Sequence, residues 1–400
     1  MTQYYTRTDG NDANNGLSNT AGGAFLTIKK LIAQTVAGDV GSINAGTYTE
    51  NVNGNAGGDT INSGTSYSDA PQFNVIGSVT WKCSVGETTA LKLNNSQIYM
   101  IFTGIIFDGI NQTFGGTPAG GGPDLIFLGN GVHHIRFSAC EFKDAYGVNV
   151  TLGGSPTASH HMEFLNCLNH GTRGTDARYH GLYGSGSPDI LIDGGEYYSN
   201  RGSGIHLFSG DNSRAIVRLV KIHNNRLGTG TNAALVLGAG SDMLAYNNLI
   251  YDEPSLGIQV DFASSAHTGN RVYNNTFYTV GNTDGDSPIQ IGASSTTLIE
   301  AAQIKNNLIY SCGNGNVIQD FGLNTVIANN FQSSVTNPNF VDLAGKNFQL
   351  TASTPGSILN SGATLADVPN DFIGTVRPQG SAYDIGAYEL ISAGLAMFRA

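Results

Sequence analysis

The side chains best able to handle protons concentrate in two short stretches, "RYHGLY" (Arg178 to Tyr183) and "RGSGIHL" (Arg201 to Leu207). Each sets a Gly and an aliphatic residue before a titratable ring, and those rings, Tyr183 and His206, stand 23 residues apart. Five of the nine His lie between residues 160 and 206, and the intervening "NHGTRGTDARYHG" adds His170, Arg173, Arg178 and His180. A His with an ordinary pKa, about 6.5, exchanges protons near neutrality. Tyr183, His206 and His180 are therefore the candidates for proton transfer. Arg173, Arg178, Arg201 and His170 are the candidates for holding an anionic group, which suits a planar guanidinium. The bland alternative is a solvated sheet face, where each pair of such neighbours stabilises by about 0.2–1 kcal/mol.

The elements that would position these residues are written in a repeat. A six-residue anchor, apolar-x-x-small/Asn-x-apolar, runs from "FTGIIF" at Phe102 to "IANNFQ" at Ile327, nine times at intervals of 23 to 35 residues. Between anchors lies a second short strand, such as "GVNV", "GLYG", "GIHL" or "GIQV". No interval holds the pattern of a crossover helix, so parallel pairing of successive repeats requires coils. The expected fold is all-β, a right-handed parallel β-helix over residues 73–330. Residues 1–72 form an N-terminal cap, with a helix from Leu26 to Val36 on which Phe25, Ile28, Leu31, Ile32 and Val36 share one face. The turn-rich residues 331–400 close the other end. The fourth anchor position reads Asn248, Asn275, Asn307 and Asn330 in its last four repeats, which predicts a buried amide ladder. Alternation along the second strands turns Val148, Leu182, Ile205 and Ile258 inward and places Asn149, Tyr183, His206 and Gln259 on one outward strip.

Composition limits the partners. Charged residues make up 12% and the net charge is −11, which argues against nucleic acid. No apolar run is long enough to span a membrane. The opening residues lack the basic and apolar regions of a signal peptide. The four Cys make no disulfide framework, and Cys140 and Cys167 read as neighbouring buried thiols. Arg136 with Glu163, Asp193 with Arg218 and Glu196 with Lys221 occupy matched positions in adjacent repeats, and such exposed pairs contribute about 0–1 kcal/mol. His133-His134 and His160-His161 each precede an anchor strand, where a metal could bind, although a solvated corner is the commoner use of such a pair.

The opening "YYTRTDGNDANNGLSNTAGGAFLTIKKLI", with "AGDVGSINAGTYTENV", resembles the start of secreted right-handed β-helix proteins, including the pectate-lyase-like polysaccharide lyases. The ending "NFQL", "STPGSILNSGA" and "DFIGTVRPQGSAYDIGAYEL" is similar to the closing segment of bacterial and phage β-helix proteins. The resemblance implies the architecture and an extracellular or virion-associated setting, with a homotrimer if the chain is a fibre. It departs from the family in showing no cluster of Asp that matches the calcium pocket of pectate lyases.

A β-helix offers a long shallow groove, which suits a linear polymer. Lytic cleavage of a uronate polymer needs a group to neutralise the carboxylate, a base, and an acid for the leaving oxygen. The expected activity is therefore β-elimination on an acidic polysaccharide, with Arg, or calcium as a possible cofactor, on the substrate carboxylate. Hydrolysis by paired carboxylates is weaker, because of Asp176, Asp193, Glu196 and Asp211 only Asp176 lies in the cluster. The alternative from another class is a non-catalytic glycan-binding fibre or phage tail protein.

Overall fold

The computed structural model describes residues 1–113, 123–153, 157–228, 233–260, 266–292 and 299–391. The chain divides into two compact units, Met1–Ser213 with Asn225–Gly230 and Arg214–Asn224 with Thr231–Ala400. Both are built from coils of short parallel strands, as expected for a right-handed parallel β-helix. In each coil a bent pair of strands, such as His133–Ser138 and Glu141–Lys143, enters a first sheet, and a third strand, such as Val150–Gly153, enters a second.

In the first unit the register stacks like on like. Phe73 pairs with Phe102, Phe102 with Phe137 and Phe137 with Phe164. Their rings follow at centroid distances of 5.1, 5.2 and 5.5 Å, and all four are buried. Each such aromatic contact adds about 0.5–1.5 kcal/mol beyond the area it buries. Arg136 and Glu163 sit opposite each other in this register, with Nε donating to Oε2 at 2.6 Å. Cys140 and Cys167 are buried free thiols.

The corner inside each anchor explains its sequence. The third anchor residue has a left-handed backbone: φ is 75° at Gly104, 50° at Ala139, 52° at Asn166 and 73° at Gly194 in the first unit. In the second unit it is 57° at Leu219, 52° at Asn247, 51° at Asn274, 58° at Asn306 and 53° at Asn329. Gly and Asn are the residues that tolerate this conformation. The fourth residue then turns inward. Asn248 Nδ2 donates to Asn275 Oδ1 at 2.9 Å, Asn275 to Asn307 at 3.0 Å and Asn307 to Asn330 at 2.9 Å, so the expected ladder is formed.

The first Asn of each "NN" pair has its own use, which the repeat alone did not reveal. Its amide faces outward and grips the C-terminal segment: Asn247 donates to Asn370 O, Asn274 to Asp384 O, Asn306 to Ala363 O and Asn329 to Ser361 O. Buried Arg377 locks the arrangement, with Nη1 on Glu389 at 2.6 Å and Nη2 on Asn247 Oδ1 at 3.1 Å. Phe340, Phe348, Leu350 and Ile358 pack with Leu249 and Tyr251, and Leu365, Val368 and Tyr383 with Tyr246 and Tyr273. The closing segment is therefore bound along the outer side of the coils, where the sequence reading had placed it over their end.

At the other terminus the α-helix is shorter than expected, Ile28–Gln34. Thr27 caps it, its hydroxyl accepting from Lys30 N at 3.0 Å, and Glu50 accepts from Ile28 N and Lys29 N, satisfying three of the free N–H groups of the first turn. Ile28, Leu31 and Ile32 are buried, whereas Val36 lies beyond the helix and is exposed.

Candidate functional site

The outward positions of the second sheet in the first unit form one continuous column. Asn53 pairs with Lys92, Lys92 with Phe127, Phe127 with Thr151, Thr151 with Tyr183 and Tyr183 with His206. The inward neighbours Ile126, Val150, Leu182 and Ile205 are fully buried and fix the register. Adjacent coils are about 4.8 Å apart, so the column presents one side chain at each step.

Tyr183 and His206 are adjacent as expected, but the member next to Tyr183 is Thr151, not Asn149. The pairing of Val150 with Leu182 shifts the strand by two residues from the sequence alignment. Asn149 is wholly buried, its amide donating to Asn169 Oδ1 and His170 O at 2.9 Å each, and belongs to an interior amide cluster with Asn200. Gln259 lies in the second unit, paired with Val236 and Gln290.

His206 departs from the expected exposed imidazole. It is 6% exposed, and burial pulls its pKa down to about 3. His180 is buried beside it and is likewise pushed well below the ordinary value, by burial first and by His206 second. Hydrogen bonding assigns the protons. Ser203 N donates to His180 Nδ1 at 3.0 Å, which makes that nitrogen an acceptor. His206 Nδ1, 3.2 Å away, is then the donor, and its Nε2 carries the lone pair. That Nε2 is buried without a hydrogen-bond partner among the described residues. Tyr183 lies against both rings, 5.8 Å from each centroid and parallel to His180. Neutral His206 is thus an acceptor waiting for a donor, and not the near-neutral base that the sequence suggested.

The acid-base group that sequence reasoning missed is Asp124. It occupies the position two residues before Ile126, matching His180 two residues before Leu182. Its desolvated carboxyl is raised to about 7, an effect opposed by the Thr151 hydroxyl and more weakly by Lys92. Thr151 Oγ1 has no partner at hydrogen-bonding distance among the described residues. Lys92 Nζ lies 5.4 Å over the Phe127 ring. The legible signal was "LKL" and "LIFL", two second-sheet strands upstream of "GVNV" that the anchor alignment left unassigned.

The candidate anion-binding residues are dispersed. Arg173 is committed to main chain: Nε donates to Asp144 O at 2.8 Å, and Nη2 to Gly109 O and Gln112 O at 3.0 Å. A guanidinium with three carbonyls to satisfy is a loop fastener, so its expected role on substrate is not met by this geometry. Arg178 is exposed and forms a two-point pair with Asp176 in its own loop, at 2.9 and 2.7 Å. Arg201 donates from Nη1 to Leu227 O at 3.2 Å and, among the described residues, keeps a buried Nε without partner. His170 belongs to the first sheet, where Nε2 is 3.1 Å from Glu141 Oε1 and the ring stacks on Tyr198 at 4.6 Å. Among the described residues no three carboxylates converge within reach of one cation, the arrangement a protein calcium pocket needs.

Comparison with known proteins agrees with the fold. The family described as "Right handed beta helix region" matches residues 124–291 and 170–354. No curated protein sequence matches the chain. Among solved structures, pectate lyase Pel9A is similar at 16% identity and TM-score 0.70, over 97% of this chain and 96% of that one. A rhamnogalacturonan lyase is similar at 16% identity and TM-score 0.62, over 89% and 96%. An alginate lyase from Paenibacillus sp. str. FPU-7 is similar at 15% identity and TM-score 0.51, over 76% and 96%. At these identities the likeness speaks for architecture alone, and with its coils, corners and family match the chain belongs to the right-handed parallel β-helix family.

Proposed function

We propose that the protein is a polysaccharide lyase that cleaves an acidic, uronate-containing polymer by β-elimination along the Lys92–His206 column. One observation carries this reading: a column that stacks a cation, an aromatic platform, a hydroxyl, a phenol and an imidazole on successive coils, Lys92, Phe127, Thr151, Tyr183 and His206, with a carboxyl at about 7, Asp124, on the Phe127 coil. That three solved polysaccharide lyases share the architecture is consistent with it.

In this reading Phe127 supports a sugar ring, and Lys92 draws the substrate carboxylate to one side of it. Asp124 lies on the Phe127 coil, next to the Thr151 coil, and near neutrality exists in both protonation states. Protonated Asp124 shares its hydrogen with the substrate carboxylate, which stabilises the enolate-like charge formed when the adjacent C–H proton is removed. Tyr183 acts as its phenolate to take this proton, and the phenol so formed gives it to the departing glycosidic oxygen. His180 and His206 hold the Tyr183 ring.

The test is a panel of uronate polymers, including polygalacturonate and alginate, assayed with and without chelator for the ultraviolet absorbance of the unsaturated product. Tyr183→Phe and Asp124→Asn should each lower turnover by at least about 10²-fold, the low end for lost general acid–base catalysis. If no polymer yields the product while glycan binding persists, the non-catalytic binding-fibre reading replaces this one, and if both variants keep full rates, the assignment of the chemistry to this column falls.

A further inference from the structure

Two histidine pairs outside this column converge at one corner of the first unit. His133 opens the strand His133–Ser138, and a parallel bridge joins it to His160 in the next coil. Consecutive residues of a strand normally point to opposite faces. Here the second residue of each pair is left-handed, with φ 57° at His134 and 53° at His161, which breaks the alternation. Both imidazoles of each pair are thereby thrown together: Nδ1 of His133 lies 2.7 Å from Nδ1 of His134, and Nδ1 of His160 lies 2.7 Å from Nδ1 of His161. The coils stack these pairs, His133 on His160 and His134 on His161, each at 4.6 Å between centroids.

At such a separation two facing ring nitrogens cannot both carry hydrogen, so each pair presents at least one bare lone pair to the other. The ligand nitrogens of His133, His134 and His160 all lie within 4.8 Å of one another, in a half-buried setting. Metal–imidazole bonds are about 2.0–2.1 Å, so small ring rotations bring the three nitrogens onto one ion. Supporting groups surround the cluster. Tyr99 stacks on His134 at 4.4 Å, Tyr67 meets it edge-on at 5.9 Å, and the Asp189 carboxylate is 3.8 Å from His161 Nδ1.

We infer that His133, His134 and His160 form a binding site for one divalent transition-metal ion, linking two successive coils. An all-imidazole donor set selects zinc, nickel or copper over calcium and magnesium, which prefer oxygen. The site is separate from the proposed lyase column and does not depend on that activity.

The full chain, stripped with chelator and dialysed, should bind one zinc ion per molecule in calorimetry, with calcium failing to compete. His134→Gln and His160→Gln should each weaken zinc binding by at least about tenfold, the lower end of what losing even an outer-shell partner costs, whereas His223→Gln should leave it unchanged. Cobalt(II) bound to the unaltered chain should give a visible spectrum of nitrogen ligation, a readout that survives if a variant fails to fold. Absence of stoichiometric binding, unchanged affinity in both variants, or displacement by calcium would overturn the inference.

Discussion

His206 and Asp124 carry opposite pH signatures, and these can be separated. His206 titrates at about 3 in the folded chain against about 6.5 when free, so between those values only the unfolded chain takes the proton. Its contribution to stability is therefore lost as pH falls from about 6.5 towards about 3. Asp124 is the reverse: its folded carboxyl, at about 7, holds a proton that the unfolded chain releases near 3.8, so stability is lost as pH rises across that window. His206→Gln should flatten the acid limb of a stability–pH profile measured by denaturant midpoints. Asp124→Asn should remove the opposing slope and raise the midpoint above pH 7. If either variant leaves the profile unmoved, its group does not titrate as described.

The corner residues are where elements are decided, and they tie sequence to coil geometry more strictly than the strands do. Ala139 occupies a left-handed corner, φ 50°, that seven of the other eight aligned repeats fill with Gly or Asn, and its side chain is exposed. An L-residue held there costs about 1–2 kcal/mol, which Asn reduces. Ala139→Asn should raise stability by about 0.5–1 kcal/mol, read as a higher denaturant midpoint at constant slope. The same corners account for what was legible. "NN" at the same place in four successive anchors announced the ladder because amide and turn coincide in one dipeptide. The second strands are only three or four residues long, so alternation had no length over which to correct itself. A two-residue slip at Val148 therefore went unseen, and with it the place of Thr151. Lys92 and Asp124 escaped because their strands precede the first interval in which the pattern was traced.

For the whole chain, the repeat made the architecture readable, since one anchor pattern recurs nine times. The site had no comparable redundancy, being one side chain per coil. Net charge adds a prediction at this scale. At −11 the chain repels an acidic polymer over distances beyond contact. That field reaches about 30 Å in 0.01 M salt and about 10 Å in 0.1 M. Association with a uronate polymer should therefore quicken between those salt concentrations in stopped-flow mixing. Slowing would mean that Lys92 and its neighbours dominate the approach.

The amide ladder of the second unit has a direction. Every rung from Asn248 to Asn307 gives its hydrogen to the next, and Asn330 ends the run, its own amide donating to Ile304 O at 2.8 Å. Four side-chain dipoles thus lie head to tail, each polarising its neighbours as in a chain of cooperative hydrogen bonds. Such a current has a source, a sink and a middle that are not equivalent. Asn275→Ala removes four hydrogen bonds, to Asn248 N, Asn248 Nδ2, Ala245 O and Asn307 Oδ1, whereas Asn330→Ala removes three, to Asn307 N, Asn307 Nδ2 and Ile304 O. The inner cut should cost more by at least the net worth of one hydrogen bond, about 0.5–1.5 kcal/mol. Equal losses would show that the amides act as separate pairs.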